Sequence, residues 1–259
     1  RAYIGIVAQQ KLKLMIPENI KEQQKIASIL STWDKAIELK DRLIELKKEQ
    51  KKGLMQKLLT GEVRLTGFED KWEKIKLGDV IEESKERTIE NNQHPVLTSS
   101  RQGIFLQEEY FSKQVASKDT TGYKIVKKGE FTYRSMSDDG NFVFNRLDDY
   151  DIGIVSPAYV VFRIKDINST YLKEFINSNM FKRYMIKYIQ GGTRVSYKYK
   201  DLHDTVVTLP SIVEQKAIAQ IIDVADENIN LLEKELLEIK QQRKGLMQLL
   251  LTGKVRVQV

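Results

Sequence analysis

Two long stretches of the chain carry apolar residues at alternating steps of three and four positions. In the first stretch they recur from Ile26 to Leu58, with lysine, glutamate and glutamine between them. In the second the steps follow a regular heptad, at Ile229, Leu232, Leu236, Ile239, Arg243, Leu246 and Leu250. No proline interrupts either stretch, and a Thr-Gly pair ends each one. The spacing predicts two long amphipathic helices whose apolar faces need partners.

The two stretches are copies of one sequence. Residues 22–65 align without a gap with a second copy that begins at Glu214, and roughly half of the positions are identical. The match is densest in the closing segment KGLMQ-x-LLTG-x-VR, which starts at Lys52 and again at Lys244. Pro17 and Pro210 precede the copies. Each proline therefore marks a strand or loop that leads into a helix.

The charges on the predicted helices suit them to pair with each other. Residues 22–60 contain nine Lys or Arg and six acidic residues, whereas residues 214–252 contain five and seven. Opposite net charges and apolar seams favour an antiparallel coiled coil within one chain, because the segment between the helices must return the chain. The alternative is that each helix packs separately on a globular part. We expect the coiled coil or a partner protein to cover Leu39, Leu43, Leu46, Leu54, Ile229, Leu232, Leu236, Ile239 and Leu246.

The segment between the repeats has a different pattern. Short runs rich in β-forming residues alternate with turn residues, at 75–77, 96–98, 130–133, 142–144 and 159–164. One amphipathic stretch, Tyr171 to Ile189, predicts a single helix. The predicted fold class is therefore α+β, with a globular domain flanked by two long helices that pair as an antiparallel coiled coil.

Composition narrows the classes of site that the chain can hold. The 259 residues include no cysteine and two separate histidines, which excludes disulfides and thiolate metal sites and disfavours a histidine metal site. No apolar run approaches the roughly 20 residues of a membrane span, and we expect a cytoplasmic protein. The net charge of +7 favours a polyanionic partner.

Motifs for catalysis are weak. Residues 156–159, Ser-Pro-Ala-Tyr, resemble the short motif with which adenine-amino methyltransferases hold the target amine, but the second proline is missing. No glycine-rich nucleotide-binding turn precedes them. The carboxylates between Asp138 and Asp151 could bind a metal ion, although their positions beside Gly140 are typical of hydrated turns. We therefore expect no catalytic residues and no metal site.

Signals for nucleic-acid binding are stronger. Residues 177–200 contain no acidic residue, while lysines and arginines alternate with tyrosines. Two further polar segments follow predicted strands and offer arginine and glutamine, which suit base edges. Each segment could also be an ordinary surface loop. The predicted DNA contacts are Thr98, Ser99, Ser100, Arg101, Gln102, Tyr133, Arg134, Ser135, Gly192, Thr193, Arg194, Ser196, Tyr197 and Lys198.

The duplicated motif resembles one known family. A proline, the sequence Glu-Gln-x-x-Ile-Ala and a long helix ending in KGLMQ-x-LLTG-x-VR occur twice around a domain that opens with Trp72 and Lys76-Leu77-Gly78-Asp79. This arrangement is similar to the specificity (S) subunit of type I restriction-modification enzymes. In that family two target-recognition domains alternate with two conserved helical regions, which pair as an antiparallel coiled coil and dock the methyltransferase subunits.

The resemblance implies a role for each part of the chain. Residues 1–16 would be the remnant of a preceding recognition domain, 17–65 the central conserved helical region, 66–209 a complete target-recognition domain and 210–259 the distal conserved helical region. The chain would be a non-catalytic subunit that recognises double-stranded DNA and directs adenine methylation and restriction by partner methyltransferase (M) and restriction (R) subunits. S-adenosylmethionine, ATP and magnesium would belong to those partners.

The resemblance also implies that one complete recognition domain reads half of a split target. We therefore expect a homodimer through the helices, which would read a palindromic split site. The alternative is that a first recognition domain belongs to the protein and is missing from this sequence. Two other functions stay open at this point. One is a coiled-coil adaptor whose central domain binds protein instead of DNA, and the other is a stand-alone methyltransferase.

Overall fold

The computed structural model describes residues 5–11, 16–111, 117–189 and 194–259. The chain divides into two compact units, one formed by Arg1–Lys51 with Val224–Val259 and the other by Lys52–Asp223. The division falls inside each long helix. The predicted domain limits at 65/66 and 209/210 lie instead near the ends of those helices. Because of its contents, we call the first unit the helical unit and the second the globular unit.

Among its described residues, the helical unit contains α1 (Ile6–Gln10) and the larger parts of α2 (Ile20–Thr60) and α8 (Ile212–Leu251). Helix α2 begins where the Asn19 side chain accepts a hydrogen bond from the Lys21 amide at 2.9 Å. It ends at Thr60 and is followed by Gly61, which has a φ of +71°, a conformation that favours glycine. In the second copy, α8 ends at Leu251, and Gly253 has the same φ of +71°. Both predicted helices are confirmed, and at about 1.5 Å per residue each is about 60 Å long.

Helices α2 and α8 pack together in antiparallel orientation, which confirms the predicted fold class. Ile44, Ile229 and Leu236 are buried between them, with Ile37 and Leu232 packed alongside. The helices therefore meet along one apolar seam of the coiled-coil kind.

Ion pairs flank this seam in reciprocal sets. A basic residue of one helix meets an acidic residue of the other, and the equivalent residues of the two repeats make the same contact in the opposite direction. The reciprocal sets are Lys51–Asp226 at 2.6 Å with Arg243–Asp34 at 2.7 Å, and Lys48–Glu233 at 2.8 Å with Lys240–Asp41 at 3.4 Å. The repeat thus gives the helix pair an approximate internal two-fold symmetry.

On α2, the apolar stripe that packs against α8 is not the one that contains the predicted leucines, which stay exposed and available to a partner protein. The side chains of Leu39, Leu43, Leu46 and Leu54 are 57%, 39%, 53% and 39% exposed. The seam instead contains Ile37 and Ile44, which the repeat aligns with Ile229 and Leu236 of α8. Helix α2 has two apolar stripes, and the stripe that matches the partner's heptad is the buried one. On α8, Ile239 and Leu246 are half-buried.

The globular unit is built from short antiparallel strands. They are β1 (Glu73–Lys76), β2 (Ile81–Glu83), β3 (Leu97–Ser100), β4 (Gly103–Leu106), β5 (Lys124–Lys127), β6 (Phe131–Arg134), β7 (Met136–Ser137), β8 (Asn145–Arg146), β9 (Ile152–Val155), β10 (Tyr159–Ile164), β11 (Val195–Ser196) and β12 (Val206–Leu209). A four-stranded sheet has the order β2-β10-β6-β8, and the other strands pair as β1-β12, β7-β11, β3-β4 and β5-β9. Its helices are α3 (Leu77–Val80), α4 (Gln107–Tyr110), α5 (Ser169–Ile176), α6 (Asn179–Met185) and α7 (Tyr199–Asp204).

Aromatic side chains form the main core of this unit. The rings of Phe131 and Phe162 stack across the four-stranded sheet at 5.2 Å between centroids. Phe144, Phe175 and Phe181 continue the cluster toward helices α5 and α6. Burial of these rings supplies the main driving force for folding of the unit.

Two sequence-based assignments inside the unit were wrong. Residues 142–144 do not form a strand, because the backbone of Phe144 pairs with the Asn177 side chain, which accepts at 3.0 Å and donates at 2.8 Å. The single helix predicted from Tyr171 to Ile189 is divided into α5 and α6. Ser178 interrupts it, because its hydroxyl caps the second helix by accepting from the Phe181 amide.

An arginine and a glutamate hold the start of the second repeat within the globular unit. The Arg64 Nε donates to Glu214 Oε1 at 2.6 Å, and Trp72 Nε1 donates to Glu214 Oε2 at 3.2 Å. Within the helical unit the equivalent residues, Arg256 and Glu22, form the same pair at 2.6 Å. The hydrogen bond from Arg256 lowers the pKa of the Glu22 carboxyl. The closing arginine of each repeat thus binds the opening glutamate of the other.

Candidate nucleic-acid interface

Two of the three loops predicted to contact DNA are neighbours in the globular unit. Strand β7 pairs with β11, so that Ser137 lies opposite Val195 and Met136 opposite Ser196. The Tyr197 amide also donates to the Ser135 carbonyl at 2.9 Å. Residues 133–137 and 194–198 therefore lie side by side, although 57 or more residues separate them in the chain.

The third loop is the turn between β3 and β4, and it joins the same edge. The Ser99 hydroxyl donates to the Thr132 carbonyl at 3.3 Å. The Asn145 side chain donates to Ser99 Oγ at 2.8 Å and to the Ser100 carbonyl at 2.7 Å. These bonds fasten the hairpin to the four-stranded sheet, and we call the shared edge of the three loops the loop edge.

The hairpin turn presents two long polar side chains. Ser100 pairs with Gly103, which leaves Arg101 and Gln102 as the two residues of the turn. Gly103 has a φ of +130°, which favours glycine at this position. Ser100 Oγ accepts from the Gln102 amide at 3.0 Å and fixes the turn internally. Both Arg101 and Gln102 are exposed, and planar groups of this kind can read base edges.

Charges of both signs line the loop edge. The exposed basic residues are Arg101, Arg134, Arg194 and Lys198. Two aspartates in the turn after β7 face two of them. Arg101 Nη2 donates to Asp139 at 2.6 Å, and Arg194 Nε lies 2.9 Å from Asp138. The edge is basic overall, with two of its arginines already paired to carboxylates.

Asp139 is strongly held as an anion. Hydrogen bonds from the Ser137 hydroxyl, the Asn141 amide and Arg101 lower the pKa of its carboxyl to about 2. Sequence reasoning assigned this residue to a hydrated turn and missed both its contact with Arg101 and the anchoring role of Asn145. Only spatial proximity reveals these contacts, because Arg101 and Asp139 are 38 residues apart.

Three of the predicted DNA contacts are corrected by their burial. Tyr133 and Tyr197 are fully buried in the aromatic core, and Thr98 is 5% exposed. The Tyr197 hydroxyl is hydrogen-bonded to Thr205 Oγ1 at 2.6 Å. Burial raises the pKa of both tyrosine hydroxyls. These side chains support the loops from inside and do not face a ligand.

The other predicted contacts differ in their availability. Ser135 and Ser196 are half-buried, and the Ser135 hydroxyl donates to the Ala158 carbonyl. Ser99 and Ser100 are half-buried, and their hydroxyls form hydrogen bonds that hold the β3–β4 hairpin in place. Gly192 and Thr193 lie outside the described residues.

No group of three or more His, Asp or Glu side chains in the described part of the chain could hold a metal ion. None of the helices described there has the length and apolar character of a membrane span.

Comparison with known proteins gives a consistent family. The family described as "Type I restriction modification DNA specificity domain" matches residues 69–241. Among curated proteins, the type I restriction enzyme MjaVIII specificity subunit of Methanocaldococcus jannaschii is 26% identical over 276 residues, covering 96% of this chain and 63% of that protein. The putative MjaX specificity subunit of the same organism is 30% identical over 280 residues, covering 95% and 60%.

Solved structures share the fold. The HsdS subunit from Thermoanaerobacter tengcongensis superposes with a TM-score of 0.51 at 17% identity, covering 91% of this chain and 59% of its own. The type I restriction-modification S subunit from M. genitalium gives 0.51 at 16% identity, covering 95% and 65%.

The matches cover most of this chain but only part of its relatives. The chain spans between 60% and 63% of the length of the two curated relatives. The family match, residues 69–241, includes most of the globular unit and the larger part of α8. Because it covers more than half of the residues, the chain belongs to the family of type I restriction-modification DNA specificity domains.

Proposed function

We propose that the globular unit binds double-stranded DNA and reads its sequence through the loop edge. The observation that carries this proposal is the meeting of three polar loops from separate parts of the chain, with four exposed basic side chains among them. Base-reading residues are commonly placed on loops that a rigid sheet supports. Family membership supports the same ligand.

The chain would act as a scaffold subunit without an active site of its own. Its relatives carry the names of specificity subunits of type I restriction enzymes. By analogy, M subunits would methylate adenine and an R subunit would restrict, with S-adenosylmethionine, ATP and magnesium bound by those partners. The exposed leucine stripe of α2, which includes Leu39, Leu43 and Leu46, offers an apolar face for such a partner.

Duplex binding by the purified chain tests the proposal. Arg194→Ala and Lys198→Ala should each weaken binding to all duplexes by a similar factor, because they remove a phosphate contact. Each should also reduce the slope of log K against log salt by about one. Fluorescence anisotropy with labelled duplexes at several salt concentrations measures both effects.

Lys128→Ala is the matched control for this experiment. Lys128 is exposed and lies 3.5 Å from Asp151, before the start of β6, whereas the loop edge follows the end of that strand. Its loss removes the same charge and should leave the affinity and the salt slope near the wild-type values. Failure of the wild-type chain to bind any duplex at low salt would contradict the proposal and favour the adaptor function.

We further infer that two copies of the chain associate through their long helices. The pairing positions carry the same signs of charge in α2 and α8, so each helix is an acceptable partner for its equivalent in a second copy. Light scattering at micromolar concentration should give a mass about twice the 30.1 kDa of one chain. A mass of one chain at all concentrations would contradict the inference.

A further inference from the structure

The two arginines that meet aspartates on the loop edge are held in different ways. Arg101 projects from a two-residue turn whose backbone is fixed by Ser100, and whose strands are fastened by Asn145. Its guanidinium contacts Asp139 through Nη2. The backbone of Arg101 is therefore fixed, and the end of its side chain is hydrogen-bonded to Asp139.

Asp139 is itself anchored. One carboxylate oxygen, Oδ1, accepts from the Ser137 hydroxyl at 2.9 Å and from the Asn141 amide at 3.1 Å. The other oxygen, Oδ2, accepts from Arg101 at 2.6 Å. The Ser137 hydroxyl lies in a residue that is 8% exposed, so the anchor is part of the packed turn. The carboxylate is therefore a fixed acceptor for Arg101, although the side chains of Arg101 and Asp139 are themselves 63% and 48% exposed.

Asp138 and Arg194 form a looser pair. Their side chains are both 69% exposed, and the contact joins Arg194 Nε to Asp138 Oδ1 at 2.9 Å. Unlike Asp139, Asp138 carries no described bond to the turn. An exposed pair of this kind contributes little and exchanges readily with water or another anion. Arg194 is therefore free to leave Asp138 for a phosphate group.

We propose that Asp139 is a positioning residue that presents Arg101 to a guanine, whereas Arg194 contacts the phosphate backbone. The proposal rests on the proposed DNA binding by the loop edge and assigns different tasks to two arginines of that edge. It implies that the half-site read by this chain contains a guanine at the position that faces the β3–β4 turn.

The chemistry of the guanidinium supports this assignment. A guanidinium has five N–H donors in one plane, so a single bond from Nη2 to Asp139 leaves the remaining donors available. Two parallel donors match O6 and N7 of guanine in the major groove. An arginine that is held beforehand loses less side-chain freedom when it binds, which increases its discrimination.

The charge around the turn gives a second argument. Asp139 places its carboxylate against Arg101, whereas the Asp138 carboxylate lies against Arg194. Arg194 can turn away from the exposed Asp138, but Asp139 is anchored beside Arg101. Carboxylates repel phosphate oxygens, so the part of the edge around Arg101 is poorly suited to the DNA backbone. It is better suited to base edges, where an arginine can donate without bringing a phosphate close to Asp139.

Selection from a randomised duplex library with the full chain tests the proposal. The wild-type chain should enrich a motif that includes a guanine, and Arg101→Ala should lose the preference at that position. Asp139→Asn should weaken binding to the selected motif by about tenfold. Its binding to an unrelated duplex at the same salt concentration should stay equal or become tighter, because the variant has one negative charge less.

Two further variants separate positioning from folding. Ser137→Ala keeps the Asp139 charge and removes one anchor, so it should lower the preference for the motif by a smaller factor. Glu82→Gln is the matched control, because Glu82 accepts from exposed Arg163 at 2.9 Å near the other end of β10. It should leave both the motif and the affinity unchanged.

The outcomes that overturn the proposal are distinct from failure of the proposed function. If the wild-type chain selects a motif and Arg101→Ala keeps the same preference for guanine at every position of it, the positioning proposal is wrong. The proposed DNA binding would still stand. The same holds if Asp139→Asn weakens selected and unrelated duplexes by one common factor. If the wild-type chain binds no duplex at all, the proposed function fails and this inference fails with it.

Discussion

Tyr133 and Tyr197 show how burial decides the role of a side chain. Both tyrosines stand among arginine, serine and lysine in the sequence, a pattern typical of nucleic-acid binding. In the structure both rings are fully buried, and their centroids are 6.2 Å apart. The two hydroxyls nevertheless differ. That of Tyr197 pairs with Thr205, whereas that of Tyr133 has no hydrogen-bond partner among the described residues.

Replacement by phenylalanine should therefore affect stability differently at the two positions. Tyr197→Phe removes a buried hydrogen bond and should lower the free energy of unfolding by about 1 kcal/mol. Tyr133→Phe removes a buried hydroxyl without a partner and should leave the free energy unchanged or raise it by up to about 1 kcal/mol. Urea denaturation followed by circular dichroism measures both.

The same two variants check the corrected role of the tyrosines. Because neither ring reaches the surface, both variants should bind duplex DNA as the wild-type chain does. A loss of affinity in a variant that retains wild-type stability would show that the ring reaches DNA after all.

Helix α2 is an element with more apolar surface than its contact with α8 requires. One stripe, which includes Ile44, packs against the partner helix, and the other, which includes Leu43, stays exposed. Periodicity alone does not distinguish the stripes, because both follow steps of three and four residues. The repeat does distinguish them. Its alignment places Ile37 and Ile44 on Ile229 and Leu236, which belong to the regular heptad of α8.

Alanine substitution at these two adjacent positions measures the difference. Ile44→Ala should lower the free energy of unfolding by about 2–5 kcal/mol, because a residue only 3% exposed loses its contacts. Leu43→Ala should lower it by no more than about 1 kcal/mol, since that residue is 39% exposed and lies outside the seam. Equal losses at the two positions, measured by urea denaturation, would contradict the assignment of the seam.

The whole chain is organised by the reciprocity of its repeats. Lys51 and Asp34 of α2 meet Asp226 and Arg243 of α8, and each residue is the repeat equivalent of the residue that makes the same kind of contact from the other helix. Because of this pattern, α2 and α8 present the same arrangement of basic and acidic residues to each other. The pattern also lets equivalent helices from two copies be compatible in charge.

Exchange of charges tests this pattern. The double variant Lys51→Asp with Asp34→Lys opposes like charges at both contacts and should destabilise the chain by about 1–2 kcal/mol in total. Adding Asp226→Lys and Arg243→Asp restores opposite charges and should recover most of that loss. Thermal unfolding of the three proteins in low salt measures it, and a further loss in the quadruple variant would show that the ion pairs do not act across the helices.

The sequence by itself determined the long helices, the α+β character of the domain, the family and the three loops that hold the candidate site. These features depend on local periodicity, on a repeat with a constant offset and on residue types next to strand ends. Local signals of this kind need no knowledge of distant partners.

Only the tertiary structure decided which side chains in those loops are available and which stripe of α2 is buried. Arg101 meets Asp139 and Ser137 lies opposite Val195 because antiparallel strands bring distant segments together. Phe144 leaves the strand pattern because a side-chain amide replaces the neighbouring strand. Such pairings depend on long-range packing, and the spacing of residues along the chain does not encode them individually.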